Sequence, residues 1–272
     1  SDGESGAYNF TTVGVDGSGL TSATLAGLQP YTRYSVVLQA FNSKGAGPAS
    51  LPKHGETMQE KPSAPPDRVK CESLTSESLL VTWSRPPQRF TNGLIINYRV
   101  IYYNSGEQGA QRGSVLSEGF RATLSSLHPW TNYSVAVAAA TQAGEGVAST
   151  PVLCTTDQDV PSAPAGIKAV PSGPRSVVIS WAAPQRSQGQ LTQYTLHWLP
   201  VGTRGASQTR RLQPSVNHHS IADLKQSSYE VWVTASTNIG EGPSSSKAVV
   251  TPSHKVSAGV WSVGSNMTAA WK

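Results

Sequence analysis

The sequence predicts an all-β protein built from tandem modules, and three observations carry that prediction. The first is composition. Among 272 residues there are 25 Gly and 19 Pro, and only 14% of residues are charged, against roughly 25% in an average soluble domain. Ser, Thr, Val, Gly and Pro dominate where a helical protein would use Ala, Glu, Lys and Leu. The second is apolar alternation at period two, the signature of half-buried strands. The third is self-similarity at a spacing of just under one hundred residues, which at this length implies two or three domains, each with its own small core.

The repeat is read from matching segments. Leu28-Gln29-Pro30-Tyr31-Thr32-Arg33-Tyr34 returns as Leu127-His128-Pro129-Trp130-Thr131-Asn132-Tyr133, so that the two tyrosines lie 99 residues apart. A third copy, Leu224 to Tyr229, is one residue shorter and lacks the proline; its tyrosine follows after 96 residues. Each copy then carries Gly-x-Gly: Gly45-Ala46-Gly47, Gly144-Glu145-Gly146 and Gly240-Glu241-Gly242. Pro62-Ser63-Ala64-Pro65 and Pro161-Ser162-Ala163-Pro164 open the second and third copies.

Strands follow in order within each copy. Leu79, Val81, Trp83 and Val177, Ile179, Trp181 are early alternating runs that end in tryptophan. Tyr98, Val100, Tyr102 and Tyr194, Leu196, Trp198 supply the middle strands, separated from the early ones by turn signals such as Thr91-Asn92-Gly93 and Ser187-Gln188-Gly189. Tyr133, Val135, Val137, Ala139 and Tyr229, Val231, Val233, Ala235 form the late ones. The Gly-x-Gly units lead into strands and lack the third glycine of a dinucleotide loop, so they read as hairpin turns.

An early strand ending in Trp, a Leu-x-Pro-x-Thr-x-Tyr corner and a following Gly-x-Gly resemble fibronectin type III domains. The resemblance implies seven-stranded antiparallel, immunoglobulin-like β-sandwiches whose corner tyrosines Tyr34, Tyr133 and Tyr229 bond back to the preceding loop. The third corner departs from the pattern by its shorter spacing and missing proline. The stretches Cys154-Thr155-Thr156-Asp157-Gln158-Asp159-Val160-Pro161 and Pro62-Ser63-Ala64-Pro65-Pro66-Asp67-Arg68-Val69-Lys70-Cys71 are similar to repeat junctions of the Down syndrome cell adhesion molecule (Dscam) family. In that family such repeats precede a late immunoglobulin domain, whose opening strand the tail from Val256 to Lys272 resembles. The expected divisions are a partial repeat at 1–58, whole repeats at 62–156 and 161–252, and the start of an immunoglobulin-like domain at 253–272. Copy one lacks the strand ending in Trp, and the tail carries Trp261 and Trp271 without partner strands, so flexibility is expected at both ends.

Cys71 and Cys154 are the two cysteines, with no CxxC spacing. Placed in the first and last strands of a seven-strand repeat, which run the same way, they reach the same pole. A disulfide, and with it an oxidising compartment, is the favoured reading; two buried free thiols are the alternative. Asn9-Phe10-Thr11, Asn132-Tyr133-Ser134 and Asn266-Met267-Thr268 are N-glycosylation sequons, with Asn132 the best placed, so N-linked glycans are expected.

No catalytic residues, cofactor or metal site are expected. There is no Gly-x-Ser-x-Gly elbow, carboxylates such as Glu118, Glu145 and Asp223 are isolated, and adjacent His218 and His219 would point to opposite faces of a strand. Net charge is only +5, with no basic run longer than Arg210-Arg211, which argues against nucleic acid. No apolar stretch approaches a membrane span, so direct membrane contact by this segment is not expected. Arg112-Gly113 and Arg204-Gly205 are not followed by Asp, and no Trp-Ser-x-Trp-Ser occurs.

If Tyr229, Val231 and Val233 face the core, Trp232 faces out beside His197 and Leu199, and Ile101 and Tyr103 do likewise in the second copy. With Arg210 nearby, these residues are candidates for a cation–π ladder or a contact patch between chains; side-chain stems covering Trp232 are the plain alternative. The resemblance implies an extracellular stalk of a single-pass, Dscam-like adhesion receptor. Its partner would be protein, either homophilic or another adhesion receptor. Repeats of a contactin-, Sidekick- or receptor-phosphatase-like ectodomain, or a spacer in a secreted enzyme, are the other readings.

Overall fold

Period-two alternation decides which side of each strand is buried, and the computed structural model, which describes residues 10–17, 19–104, 106 and 110–254, follows it closely. In copy one, β1 (Arg33–Val36) pairs β4 (Lys53–Glu56), and β2 (Gln39–Asn42) pairs β3 (Gly45–Ala49). Their side chains are exposed or half-buried throughout.

The second repeat stacks two sheets. One has the order β5 (Asp67–Thr75), β6 (Ser78–Ser84), β9 (Arg121–Leu124). The other runs β11 (Gly144–Ala148), β10 (Asn132–Thr141), β7 (Asn97–Tyr103), β8 (Arg112–Ser117), and β12 (Val152–Thr155) also pairs β10. β11 and β12 are two halves of one last strand. At the break the Ser149 hydroxyl accepts the Val137 N–H at 3.1 Å, standing in for a ladder carbonyl. Ser50 with Leu38 and Ser245 with Val233 repeat this bond.

The third repeat has the same seven-strand plan. β13 (Ala165–Gly173), β14 (Ser176–Ala182) and β17 (His218–Ile221) form one sheet; β16 (Gln208–Leu212), β15 (Gln193–Pro200), β18 (Tyr229–Ser236) and β19 (Ala248–Val250) form the other. Pro171 sits in β13, which pairs only β14, so the missing N–H costs no second ladder.

Each sandwich is filled by the residues that the alternation selects. Leu79, Val81, Trp83, Tyr98, Val100, Tyr133, Val135 and Val137 form one core; Val177, Ile179, Trp181, Tyr194, Leu196, Tyr229, Val231 and Val233 form the other. Trp83 packs on Tyr98 at 5.5 Å and Trp181 on Tyr194 at 5.6 Å, so the aromatic centre is duplicated as well. Burial pushes the Tyr98, Tyr133 and Tyr194 phenols above their ordinary pKa.

The corners are also repeated. The Tyr34 and Tyr133 hydroxyls accept the N–H groups of Gln29 and His128 at 2.8 Å. The shorter third corner keeps the bond, from Lys225 N–H to Tyr229 at 3.0 Å, across four residues instead of five. Tyr31 and Trp130, after the corner prolines, take positive φ of 47° and 49°, the turn that the third copy dispenses with. Tyr133 also donates to Gln111 Oε1 at 2.6 Å. Tyr133→Phe orphans both partners and should cost about 1–3 kcal/mol, read as a lower urea midpoint for the second repeat at unchanged slope. Tyr229→Phe, with one partner described for its hydroxyl, should cost less.

Cys71 in β5 and Cys154 in β12 are disulfide-bonded, with Cα atoms 5.8 Å apart. The bridge ties a strand of one sheet to a strand of the other. The expected opening strand at 253–272 lies outside the described residues except for Ser253 and His254.

Candidate functional site: the inter-repeat joints and the outer sheet faces

Repeats in tandem can act together only if the segments joining them hold a fixed relation, and here each connector is bonded to the modules on both sides. In the connector between the second and third repeats, Thr156 faces backward. Its hydroxyl donates to His128 O at 2.7 Å and accepts the Thr131 N–H at 3.0 Å. The Trp130 N–H donates to Asp157 O at 2.9 Å, and the Asp157 N–H to Thr75 O at 3.3 Å. The next residues face forward. Gln158 Oε1 accepts the Gln190 N–H at 2.9 Å, the Asp159 N–H donates to Gln188 O at 2.7 Å, and the Thr237 hydroxyl donates to Asp159 O at 2.8 Å. Asp159 bridges both modules, because its carboxylate also accepts the Ser76 hydroxyl at 2.9 Å.

The connector between the first and second copies is the same device. Thr57 holds Gln29 and Thr32, Tyr31 N–H reaches Met58 O, and Gln59 Oε1 accepts the Leu94 N–H at 2.9 Å. The Glu60 N–H donates to Asn92 O at 2.8 Å, while the Thr141 hydroxyl donates to Glu60 O at 2.8 Å. Asn92 and Gln188 both adopt positive φ, 54° and 52°, which turns their carbonyls toward the connector. The second glycine of each Gly-x-Gly completes the fit. A Cβ on Gly146 would overlap the Pro62 carbonyl oxygen, and one on Gly242 the Pro161 carbonyl oxygen. These glycines are needed for close approach of two backbones.

Sequence reading found the Pro-Ser-Ala-Pro spacing but missed the residues that make the joint. The signal was present: Gln59 and Gln158 stand at the same offset before that motif, and Thr141 and Thr237 each stand three residues before a Gly-x-Gly.

The expected outward patch divides between modules. In the third repeat His197 lies opposite Trp232 on neighbouring strands, with the rings stacked at 5.3 Å and 5° apart in plane. Lys247 Nζ stands 4.8 Å from the Trp232 ring centre and 2.7 Å from Glu230. Leu199 lies across from Glu230 and is half-buried. Arg210, expected beside Trp232, is not part of this row: it pairs opposite inward-facing Leu196 and so projects from the other face, where it acts on His219. Lys247 supplies the cation instead. Desolvation holds the His197 pKa below its ordinary value against the opposing pull of Glu241; burial, then Arg210 and His218, lower that of His219. Glu241 also accepts a hydrogen bond from Thr234. In the second repeat Ile101 and Tyr103 do lie on the outer face, and the Trp232 position is taken by Ala136.

Asn132 is exposed at the start of β10, and its Oδ1 accepts the Thr155 hydroxyl at 2.5 Å. Asn9 and Asn266 lie outside the described residues. Among the described residues no group of three or more His, Cys, Asp or Glu could hold a metal ion.

Residues 64–155 and 162–251 each match the fibronectin type III domain family. The chain is 37% identical to Cell adhesion molecule Dscam2 of Drosophila melanogaster over 98% of its own length and 13% of that protein's. It is 38% identical to Cell adhesion molecule DSCAML1 of Mus musculus, over 100% of this chain and 13% of the relative. For Cell adhesion molecule DSCAM of Homo sapiens the identity is 32%, over 98% and 13%. The chain therefore spans 13% of the length of these curated relatives.

Proposed function

The chain belongs to the fibronectin type III family, and on that premise we propose that it is a spacer segment in the extracellular part of a single-pass, Dscam-like cell adhesion molecule. It would hold successive modules at a fixed orientation so that recognition surfaces elsewhere meet a partner protein, homophilic or another adhesion receptor. The relatives are named as cell adhesion molecules, and the Cys71–Cys154 bridge suits an oxidising compartment. The working divisions are a partial repeat at 1–58, repeats at 62–156 and 161–252, and a following module from 253.

One observation carries the reading: the connector at 156–160 is hydrogen-bonded to the repeats on both sides, through Thr156 and Asp157 backward and Gln158 and Asp159 forward. A flexible tether would leave those groups to water. The outer faces, where large side chains such as Tyr103 remain 48% exposed, are secondary to this mechanical role.

The test is whether the second and third repeats tumble together. Nitrogen-15 relaxation should give both repeats one rotational correlation time. Inserting a short Gly-Ser segment after Val160 should split it into two shorter ones. Independent tumbling of the unaltered chain would remove the spacer reading.

A further inference from the structure

The outer face of the four-stranded sheet is filled in the third repeat and hollow in the second. β10 sends Tyr133, Val135 and Val137 to the core at 0% exposure, so Asn132, Ser134, Ala136 and Ala138 lie on the opposite face. Leu153 and Tyr103 flank Ser134, and Ile101 flanks Ala136. Ser134 and Ala136 thus run beside taller apolar neighbours, of which Leu153 is 78% exposed, while Ala138, between Arg99 and Ala148, is covered at 0% exposure. A shallow depression of about 570 Å³ bordered by Ile101, Tyr103, Arg112 and Ser114 continues the hollow toward β8. The Arg99–Glu145 pair, at 2.6 Å, closes the far end. In the third repeat the equivalent rows hold Val249, Glu230 and Leu199, then Lys247, Trp232 and His197.

We propose that Asn132 carries an N-linked glycan whose first sugars lie over this face, so that carbohydrate covers the apolar surface of the second repeat. Asn132 has the sequon Asn132-Tyr133-Ser134 and shares the face with the residues to be covered. The Thr155 hydroxyl engages Oδ1, so that bond does not occupy Nδ2, the nitrogen that takes the sugar, and Asn132 itself is exposed. Direct cross-strand neighbours lie about 5 Å apart and diagonal ones about 7–8 Å, so Leu153 and Tyr103 are within reach of the first sugar rings. The C–H faces of N-acetylglucosamine pack well on aromatic and aliphatic side chains. Trp130, two residues before Asn132 and 48% exposed, offers a second aromatic surface.

The donor would be an oligosaccharide linked to a lipid pyrophosphate. Nδ2 forms the bond to the anomeric carbon, the C–O bond to the pyrophosphate breaks, the lipid pyrophosphate leaves, and one amide proton is lost to base. Transfer occurs on the unfolded chain, so the burial of Ser134 in the folded sheet, at 9% exposure, is no obstacle.

This rests on the extracellular reading, and the experiment separates the two. The chain is secreted from animal cells behind a supplied leader and mapped by mass spectrometry after enzymatic glycan release. Asn132 should be recovered largely as aspartate, and Ser134→Ala should abolish the modification. Trimming the glycan from the folded protein should raise binding of an apolar dye severalfold and tighten self-association at least threefold. Leu153→Ser should reverse both. An unmodified Asn132 in secreted, disulfide-bonded protein would overturn the site. Unchanged dye binding and self-association after trimming would overturn the covering. Modified secreted chain beside unmodified native protein would support the site and overturn the extracellular reading.

Discussion

Replacing Cys71 and Cys154 with alanine, or reducing the bridge, should destabilise the second repeat and spare the third. The bridge closes a separation of 83 residues, for which the chain-entropy model gives up to about 4–5 kcal/mol, with strain and residual structure bringing typical values to about 2–4. For a module of this size that is a fall in Tm on the order of 10–20 °C. The site explains why the effect should be large. β5 and β12 belong to different sheets, and the bond is the covalent link between them near one pole of the sandwich. The third repeat, with the same plan and no cysteine, is an internal control. Calorimetry should show one transition moving under reductant and one staying in place; joint movement of both, or of neither, would contradict this account.

Gly242→Ala should have the largest effect on how the repeats are related. The added methyl would overlap the Pro161 carbonyl oxygen, a backbone atom that cannot rotate away. The connector must then shift, and the Asp159–Gln188, Thr237–Asp159 and Gln158–Gln190 bonds lengthen together. Overpacking of this kind costs about 1–3 kcal/mol. Because the Gly242 N–H still reaches Ala235 O at 2.9 Å, the hairpin itself survives. Residual dipolar couplings should therefore fit each repeat as before but require separate alignments for the two. Gly146→Ala should do the same at the Pro62 joint. A single alignment retained in both variants would show that the glycines do not set the orientation.

The strands, the cores and the tyrosine corners were legible because each is written locally: alternation selects the buried face, and the corner lies within a few residues of its tyrosine. The Cys71–Cys154 pairing was legible once strand direction was counted. Arg210 was misplaced because its side depends on the register between β15 and β16, and a one-residue change of register reverses the face of every side chain. Lys247 was missed for a related reason: it reaches Trp232 from the residue just ahead of the last strand, β19, in the stretch where pairing is interrupted near Ser245. The connector bonds were hidden because Gln158 and Gln59 act through side-chain amides on backbone groups more than thirty residues away, which no periodicity reports.

Since Met58 and Asp157 occupy equivalent places in the two joints, as do Gln59 and Gln158, the stretch 59–157 is one complete unit of length. Excising it would set Met58 against Gln158 and reproduce the backward bonds of one joint with the forward bonds of the other. A gene assembled from such units can lengthen or shorten its product by whole increments, because every cut at this phase restores a working coupling.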